Sequence, residues 1–344
     1  MSLICIIGGL GYIGSHIAIS FLENSIPILL IDRASNSVLR SIQSRYPLVK
    51  FEACELTESG QLHSIFSKYS ISTIIYSMRD SFSSCSTIAH YRKIIVYTNI
   101  IEAIRDYQNT ESCPLRQLIL CSNTDMYTSV RENISFEYTY PMLLYLKEKV
   151  FYEYAMSQNI FSFSILRVST PIGCHPILYD ELKKKEYLES HPSLQNNLIL
   201  YFLYDKPLTV FQSNYTIDKS ASVNLVSIVD IAKAFLSCYL YSNEVPYMYY
   251  NICNSVTYTV FQWLRYLQIQ NKLNDIVKPI VFSTKKKTNQ YIDIANKEYD
   301  ITKAKQQLFW EPSKNIVLDW SLLLYQLLTV RSTKYRQYES MYIS

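Results

Sequence analysis

A tyrosine and a lysine one helical turn apart, Tyr145 and Lys149, lie in the run Leu143-Leu144-Tyr145-Leu146-Lys147-Glu148-Lys149-Val150-Phe151. An ammonium beside a phenol stabilises the phenolate, so tyrosine can take a proton near neutral pH and not only near its ordinary value of about 10. Such a phenol is a general base. The same spacing recurs at Tyr46/Lys50, Tyr179/Lys183, Tyr215/Lys219 and Tyr299/Lys303 in a chain with 31 tyrosines, so spacing alone selects none of them. A second constellation opens the chain. Four of its six glycines, Gly8, Gly9, Gly11 and Gly14, follow the apolar run Leu3-Ile4-Cys5-Ile6-Ile7 and precede helical apolar spacing at Tyr12, Ile13, His16, Ile17 and Phe21. Backbone N–H groups at such a turn can meet a pyrophosphate that any side chain would hold away. Asp32, eighteen residues after Gly14, ends the next apolar run. Its carboxylate can accept both hydroxyls of an adenosine ribose and repels a 2′-phosphate, which favours NAD over NADP.

These residues need a frame. Strand-like runs at 3–7, 27–31, 72–76, 116–121 and 161–167, with a shorter one near 49–52, alternate with amphipathic segments. That alternation predicts an α/β fold, a Rossmann-type doubly wound parallel sheet. Tyr145 opens the helix between the runs 116–121 and 161–167, a position that brings it beside the nicotinamide end of a dinucleotide. Past residue 170 the alternation gives way to polar, proline-punctuated segments. Helical patterns return at 229–241, 258–270 and 314–330, with strand-like runs near 208–211, 248–252 and 279–282. The expected division is an NAD-binding Rossmann domain over 1–170 and a smaller C-terminal α/β substrate lobe over 171–344, with the cleft between them.

Composition narrows the function classes. With 49% hydrophobic residues the chain reads as globular, and a net charge of +4 from 33 basic and 29 acidic residues leaves no tract to follow a nucleic-acid backbone. The triplets 183–185 and 285–287 read as solvated surface. No apolar stretch reaches the roughly 18 residues of a membrane span, and the opening run lacks the basic lead of a signal peptide. The eight cysteines never come as CxxC and suit small buried residues of a reducing compartment. The expectation is a cytoplasmic protein with no nucleic-acid partner, no membrane partner and no bound metal.

Taken together, these motifs resemble the extended short-chain dehydrogenase/reductases, and within them the UDP-glucose (UDP-galactose) 4-epimerase group. GGLGYIGSH at 8–16 is similar to the opening of that group, and Tyr145 to Lys149 followed by Glu153 to its YxxxK helix. Leu166 to Pro176 resembles its R-Y-F-N-P-x-G-A-H-P segment, Asn196-Asn197-Leu198 its N-N-L, Val229-Asp230-Ile231-Ala232 its V-x-D-L-A and Tyr250-Asn251-Ile252 its Y-N-L. The resemblance implies NAD as cofactor, a UDP-hexose as substrate and passage through a 4-keto sugar. It implies Tyr145 as base, Lys149 as its tuner and ribose anchor, and Asn123 or Thr124 polarising the 4-hydroxyl. Gly8, Gly11, Tyr12, Ile13, Gly14, Asp32, Glu55, Leu56 and Lys149 form the implied cofactor set. Thr170, Asn196, Asn197, Leu198, Asn224, Lys285 and Lys286 form the implied substrate set. A homodimer through the helices at about 83–107 and 141–157 is implied as well.

The departures from that pattern matter to the chemistry. Asn123 stands where the group carries serine or threonine, and an amide can bond a sugar hydroxyl but cannot relay its proton. Ser77-Met78-Arg79 replaces A-G-L, placing bulk at Met78 near the dinucleotide, and the N-N-x-x-G element is read at Arg92 to Val96. Thr170 and Asn224 replace an asparagine and a phosphate-binding arginine, and lysines stand for a second arginine, without its bidentate fork. Three readings follow: an active 4-epimerase of reduced activity, a catalytically degenerate scaffold or NAD sensor, and, prompted by Asp125, a nucleotide-sugar 4,6-dehydratase.

Overall fold

The computed structural model describes residues 2–78, 87–110, 114–128, 139–158, 162–190, 195–196, 199–200, 204, 208–211, 222–242, 246–259, 280–283, 299–313 and 316. The chain alternates as the sequence predicts: β1 (Leu3–Ile7), α1 (Tyr12–Glu23), β2 (Ile28–Asp32), α2 (Ser37–Arg45), β3 (Lys50–Ala53), α3 (Gln61–Phe66), β4 (Ile71–Tyr76), α4 (Thr87–Gln108), β5 (Gln117–Asn123), α5 (Thr139–Gln158) and β6 (Ser162–Val168). After β6 come β7 (Thr170–Ile172), two short helices α6 (Tyr179–Leu182) and α7 (Lys185–Ser190), β8 (Leu208–Phe211) and β9 (Ser222–Ser227). The chain continues through α8 (Ile228–Tyr241), β10 (Tyr247–Ile252), β11 (Thr257–Thr259), β12 (Ile280–Ser283) and α9 (Thr302–Gln307).

Seven strands form one parallel sheet in the order β10-β6-β5-β4-β1-β2-β3. Every residue of β1 is buried, as a strand covered on both faces requires, which is why its sequence is an unbroken apolar run. One face of the sheet packs Ile17 and Phe21 of α1, Val38 and Ile42 of α2 and Phe235 of α8. The other packs Phe66 of α3, Tyr97 and Ile100 of α4 and Phe151 and Ala155 of α5. Strand order reverses between β1 and β4, and a crevice opens outside the carboxyl ends of strands at such a point.

Strand β10 lies along β6 from Tyr247↔Phe163 to Ile252↔Val168, so the chain returns to the seven-stranded sheet well after residue 170. Helix α8 covers the same sheet. Two further sheets have the orders β11-β9-β7 and β12-β8. Of the late helical patterns, 229–241 is α8. The patterns at 258–270 and 314–330 lie almost wholly outside the described residues.

Candidate active site at the carboxyl ends of the strands

The glycine turn is fixed by backbone contact. A Cβ on Gly14 would stand 2.1 Å from the Gly8 carbonyl oxygen and 2.7 Å from Ser77 Oγ, so helix α1 can approach β1 this closely only without a side chain there. Ser77 Oγ donates to the Ile7 carbonyl at 2.9 Å and thereby ties the end of β4 to the turn. Helix α1 starts at Gly11 with no side-chain cap and no acidic residue in its first turn, leaving N–H groups open to an anion. Asp32 accepts from Leu10 N at 3.0 Å through Oδ2 and from Arg33 N at 2.8 Å through Oδ1. A carboxylate has about four lone-pair sites, so it retains capacity for two ribose hydroxyls.

Three features qualify this seat. Gly8 has φ +79°, and a Cβ there would meet Met78 Cγ at 2.7 Å, so the Met78 side chain rests on the glycine turn itself. Glu55 spends Oε1 on Thr57 N and Oγ1 at 3.4 and 3.0 Å, while Leu56 is buried. The Leu56 carbonyl accepts from Asn99 Nδ2 at 2.8 Å. Asn99 was not among the expected residues. An amide in the middle of a long helix, where asparagine is a poor former, was the available signal.

At the other end of the crevice, Asn123 closes β5 and its Oδ1 accepts from Asp125 N at 2.7 Å, starting the 3-10 turn Thr124–Thr128. Thr124 is buried, and Ser122 Oγ is buried with no hydrogen-bond partner among the described residues. Helix α5 turns Leu144, Lys147, Glu148, Phe151 and Ala155 inward. Tyr145 is 54% exposed, and Lys149 Nζ pairs with Glu153 at 2.7 Å on the outward side. The Glu153 hydrogen bond is the largest cause raising the Lys149 pKa, and the Tyr145 phenol raises it further, so the two side chains are neighbours on α5.

Two charged residues of α5 face inward. Lys147 Nζ donates to the Cys121 carbonyl at 3.0 Å and lies 5.9 Å from the Tyr76 ring centroid. Glu148 receives Arg167 Nη2 at 2.6 Å and Nε at 3.1 Å. Arg167 also donates to Tyr127 OH at 2.7 Å, and that hydroxyl donates to Asn251 Oδ1 at 2.6 Å.

On the substrate side, Thr170 is half-buried in β7. Asn224 points elsewhere than expected: its Nδ2 donates to the Asn254 carbonyl at 2.7 Å and its Oδ1 accepts from Asn254 N at 2.8 Å. That reciprocal pair uses both ends of the amide. Asn196 is buried beside Gln195. Asn197, Leu198, Lys285 and Lys286 lie outside the described residues.

His16 joins α1 to the segment after β7. Its Nδ1 bonds the Tyr12 carbonyl at 2.7 Å and its Nε2 accepts from His175 N at 3.0 Å, an arrangement that requires the neutral ring with the proton on Nδ1. Burial pushes its pKa down to about 4. The unfolded chain, with histidine near 6.5, binds the proton first, so stability is full above that value and declines as pH falls toward 4. The expected loss is on the order of 3 kcal/mol over this window. Urea unfolding as a function of pH measures it, and the slope should flatten in His16→Gln. An equal slope in the variant would assign the loss to other groups.

A model of the NAD dependent epimerase/dehydratase family matches residues 4–253. The chain belongs to this family. It is 25% identical over 336 residues to UDP-glucose 4-epimerase of Dictyostelium discoideum, covering 91% of this chain and 92% of that protein. It is 27% identical over 258 residues to the bifunctional protein GAL10 of Kluyveromyces lactis, covering 68% of this chain and 36% of that longer protein. Among solved structures, UDP-glucose 4-epimerase from Bifidobacterium longum, in complex with NAD+ and UDP, superposes with a TM-score of 0.73 at 16% identity over 95% of this chain and 98% of that one. That likeness shows the shared fold. NAD is the cofactor of the family, and the bare turn at Gly11–Gly14 with the Asp32 carboxylate fits its adenosine and pyrophosphate half. Among the described residues no helix is long and apolar enough to cross a membrane.

Proposed function

We propose that this protein binds NAD and a UDP-hexose and interconverts UDP-glucose and UDP-galactose slowly. The turn at Gly8 to Gly14 with the Asp32 carboxylate supports the dinucleotide, and the family match over residues 4–253 supports the chemistry. Tyr145 is the phenol that takes the proton of the sugar 4-hydroxyl, and Lys149, whose charge interacts with it, is its tuner. Lys149 Nζ is shared with Glu153 at 2.7 Å, which weakens that tuning.

NAD, when bound, supplies a hydride acceptor that can return the hydride to either face of a 4-keto sugar. The chain's part is to hold the dinucleotide at Gly8 to Gly14 and Asp32, to polarise the 4-hydroxyl through the amide of Asn123 or the hydroxyl of Thr124, and to supply the base. An amide at 123 cannot relay the proton as a hydroxyl does, so the expected deficit is roughly 10²- to 10³-fold. Coupled spectrophotometric assay of both UDP-hexoses between pH 7 and 10, with mass analysis of the ligand released on denaturation, tests the proposal. Tyr145→Phe should lower the remaining rate by about 10²-fold or more with NAD still bound. An unchanged rate in that variant would take the base away from Tyr145.

A non-catalytic scaffold or NAD sensor is the second reading, favoured by Met78 lying on Gly8 and by the commitment of Asn224 to Asn254. It predicts released NAD with no turnover at any pH. The outward faces of α4 and α5 also support a homodimer. Tyr91, Ile94 and Met142 are large, apolar and 43–65% exposed, and a second copy would cover them.

A further inference from the structure

Tyr12 belongs to two places at once. Its backbone opens α1 directly after Gly11 and so forms part of the dinucleotide seat. Its phenol runs toward the substrate side, where the hydroxyl donates to the Gly173 carbonyl at 2.7 Å and lies 3.4 Å from Gln195 Oε1. Gln195 is wholly buried. It accepts from Gly173 N through Oε1 and donates to the Gly173 carbonyl from Nε2 at 3.1 Å. Gly173 follows β7, which carries Thr170, and Gln195 precedes Asn196, which is itself buried.

The seam continues along α1. His16 receives His175 N, and His175 Nε2 meets Glu23 at 3.1 Å near the other end of the helix. The phosphate turn and the segment after β7 are therefore joined by part-buried hydrogen bonds, from Tyr12 at 2.7 Å and to His16 at 3.0 Å. Such bonds weaken steeply when their atoms separate by a few tenths of an ångström, so the two segments hold one relative position or lose the bonds. A pyrophosphate at the turn would bond the open N–H groups of the same helix that these bonds anchor.

We infer that Tyr12, Gly173 and Gln195 form a positioning latch that couples the dinucleotide seat to the nucleoside-diphosphate side of the cleft, so that each ligand tightens the binding of the other. The inference rests on the proposed function for the presence of both ligands. Tyr12 and Gln195 act through the segments they hold and touch neither reacting centre. Coupling between two sites is reciprocal, so the factor by which UDP tightens NAD equals the factor by which NAD tightens UDP.

The test is calorimetric titration of the full chain with NAD, with and without saturating UDP, and with UDP, with and without saturating NAD. In the wild-type protein both ratios should agree at about fivefold or more. In Gln195→Met, monitored for thermal stability, the ratio should fall below about twofold while either ligand alone binds with little change. Tyr12→Phe, which removes one hydroxyl and leaves Gln195 on Gly173, should give the same loss of coupling. A residue of purely structural importance would instead weaken both ligands alone and leave the ratio intact. Equal ratios in wild type and Tyr12→Phe, or a ratio of one in a wild-type protein that binds both ligands, overturn the latch alone. Absence of NAD binding in the wild-type protein overturns the functional reading and the latch with it.

Discussion

Asn123→Ser is expected to raise epimerisation by about 10²-fold, because a hydroxyl can both bond the sugar 4-hydroxyl and relay its proton, whereas an amide can only bond it. Serine, like asparagine, can accept from Asp125 N, so the turn after β5 should persist. Two controls isolate the effect. The affinity for NAD should not change, and the double variant Asn123→Ser/Tyr145→Phe should fall back to the rate of Tyr145→Phe alone. An NAD-loaded Asn123→Ser protein with the parental rate would remove the argument that this amide limits turnover.

Glu148→Ala should be the most damaging single substitution to stability, at about 3–5 kcal/mol. The Arg167 side chain is 11% exposed and that of Glu148 is 6% exposed, so removing the carboxylate strands a guanidinium in a dry setting. Its rings at 4.3 Å (Tyr249) and 5.1 Å (Tyr127) offer cation–π contact but no counter-charge. Since whole domains are stable by only about 5–15 kcal/mol, the urea midpoint should drop sharply or the protein should fail to accumulate. A change below about 1 kcal/mol would mean that water reaches the pair and screens it. The same substitution takes away the anchor that holds the Arg167 donor on Tyr127, so the turn after Asn123 should loosen in hydrogen exchange before the rest of the sheet.

The sheet and the cofactor seat were legible in the sequence for a local reason. A strand buried on both faces must be apolar throughout, and a phosphate turn must be bare, so Leu3–Ile7, Gly8 to Gly14 and Asp32 announce themselves within about thirty residues. The register of α5 was not legible. Charge ordinarily marks a solvent face, and here Lys147 and Glu148 turn inward because Cys121 and Arg167, distant in sequence, meet them. Asn224 misled in the same way. As a lone residue it reads as a weakened phosphate ligand, and only the fold reveals Asn254 as its partner. Strand β10 was visible as a strand but not as the seventh of the main sheet, since its neighbour β6 lies some eighty residues earlier in the chain.

That last pairing bears on synthesis. While the chain emerges from the ribosome, β6 presents an open row of peptide groups until residue 252 has been made and delivered, and an unsealed edge of this kind invites intermolecular pairing. A fragment cut at residue 170 keeps every glycine of the phosphate turn yet exposes that edge for good. The first half of this protein is thus aggregation-prone by construction, and the later third serves as its seal.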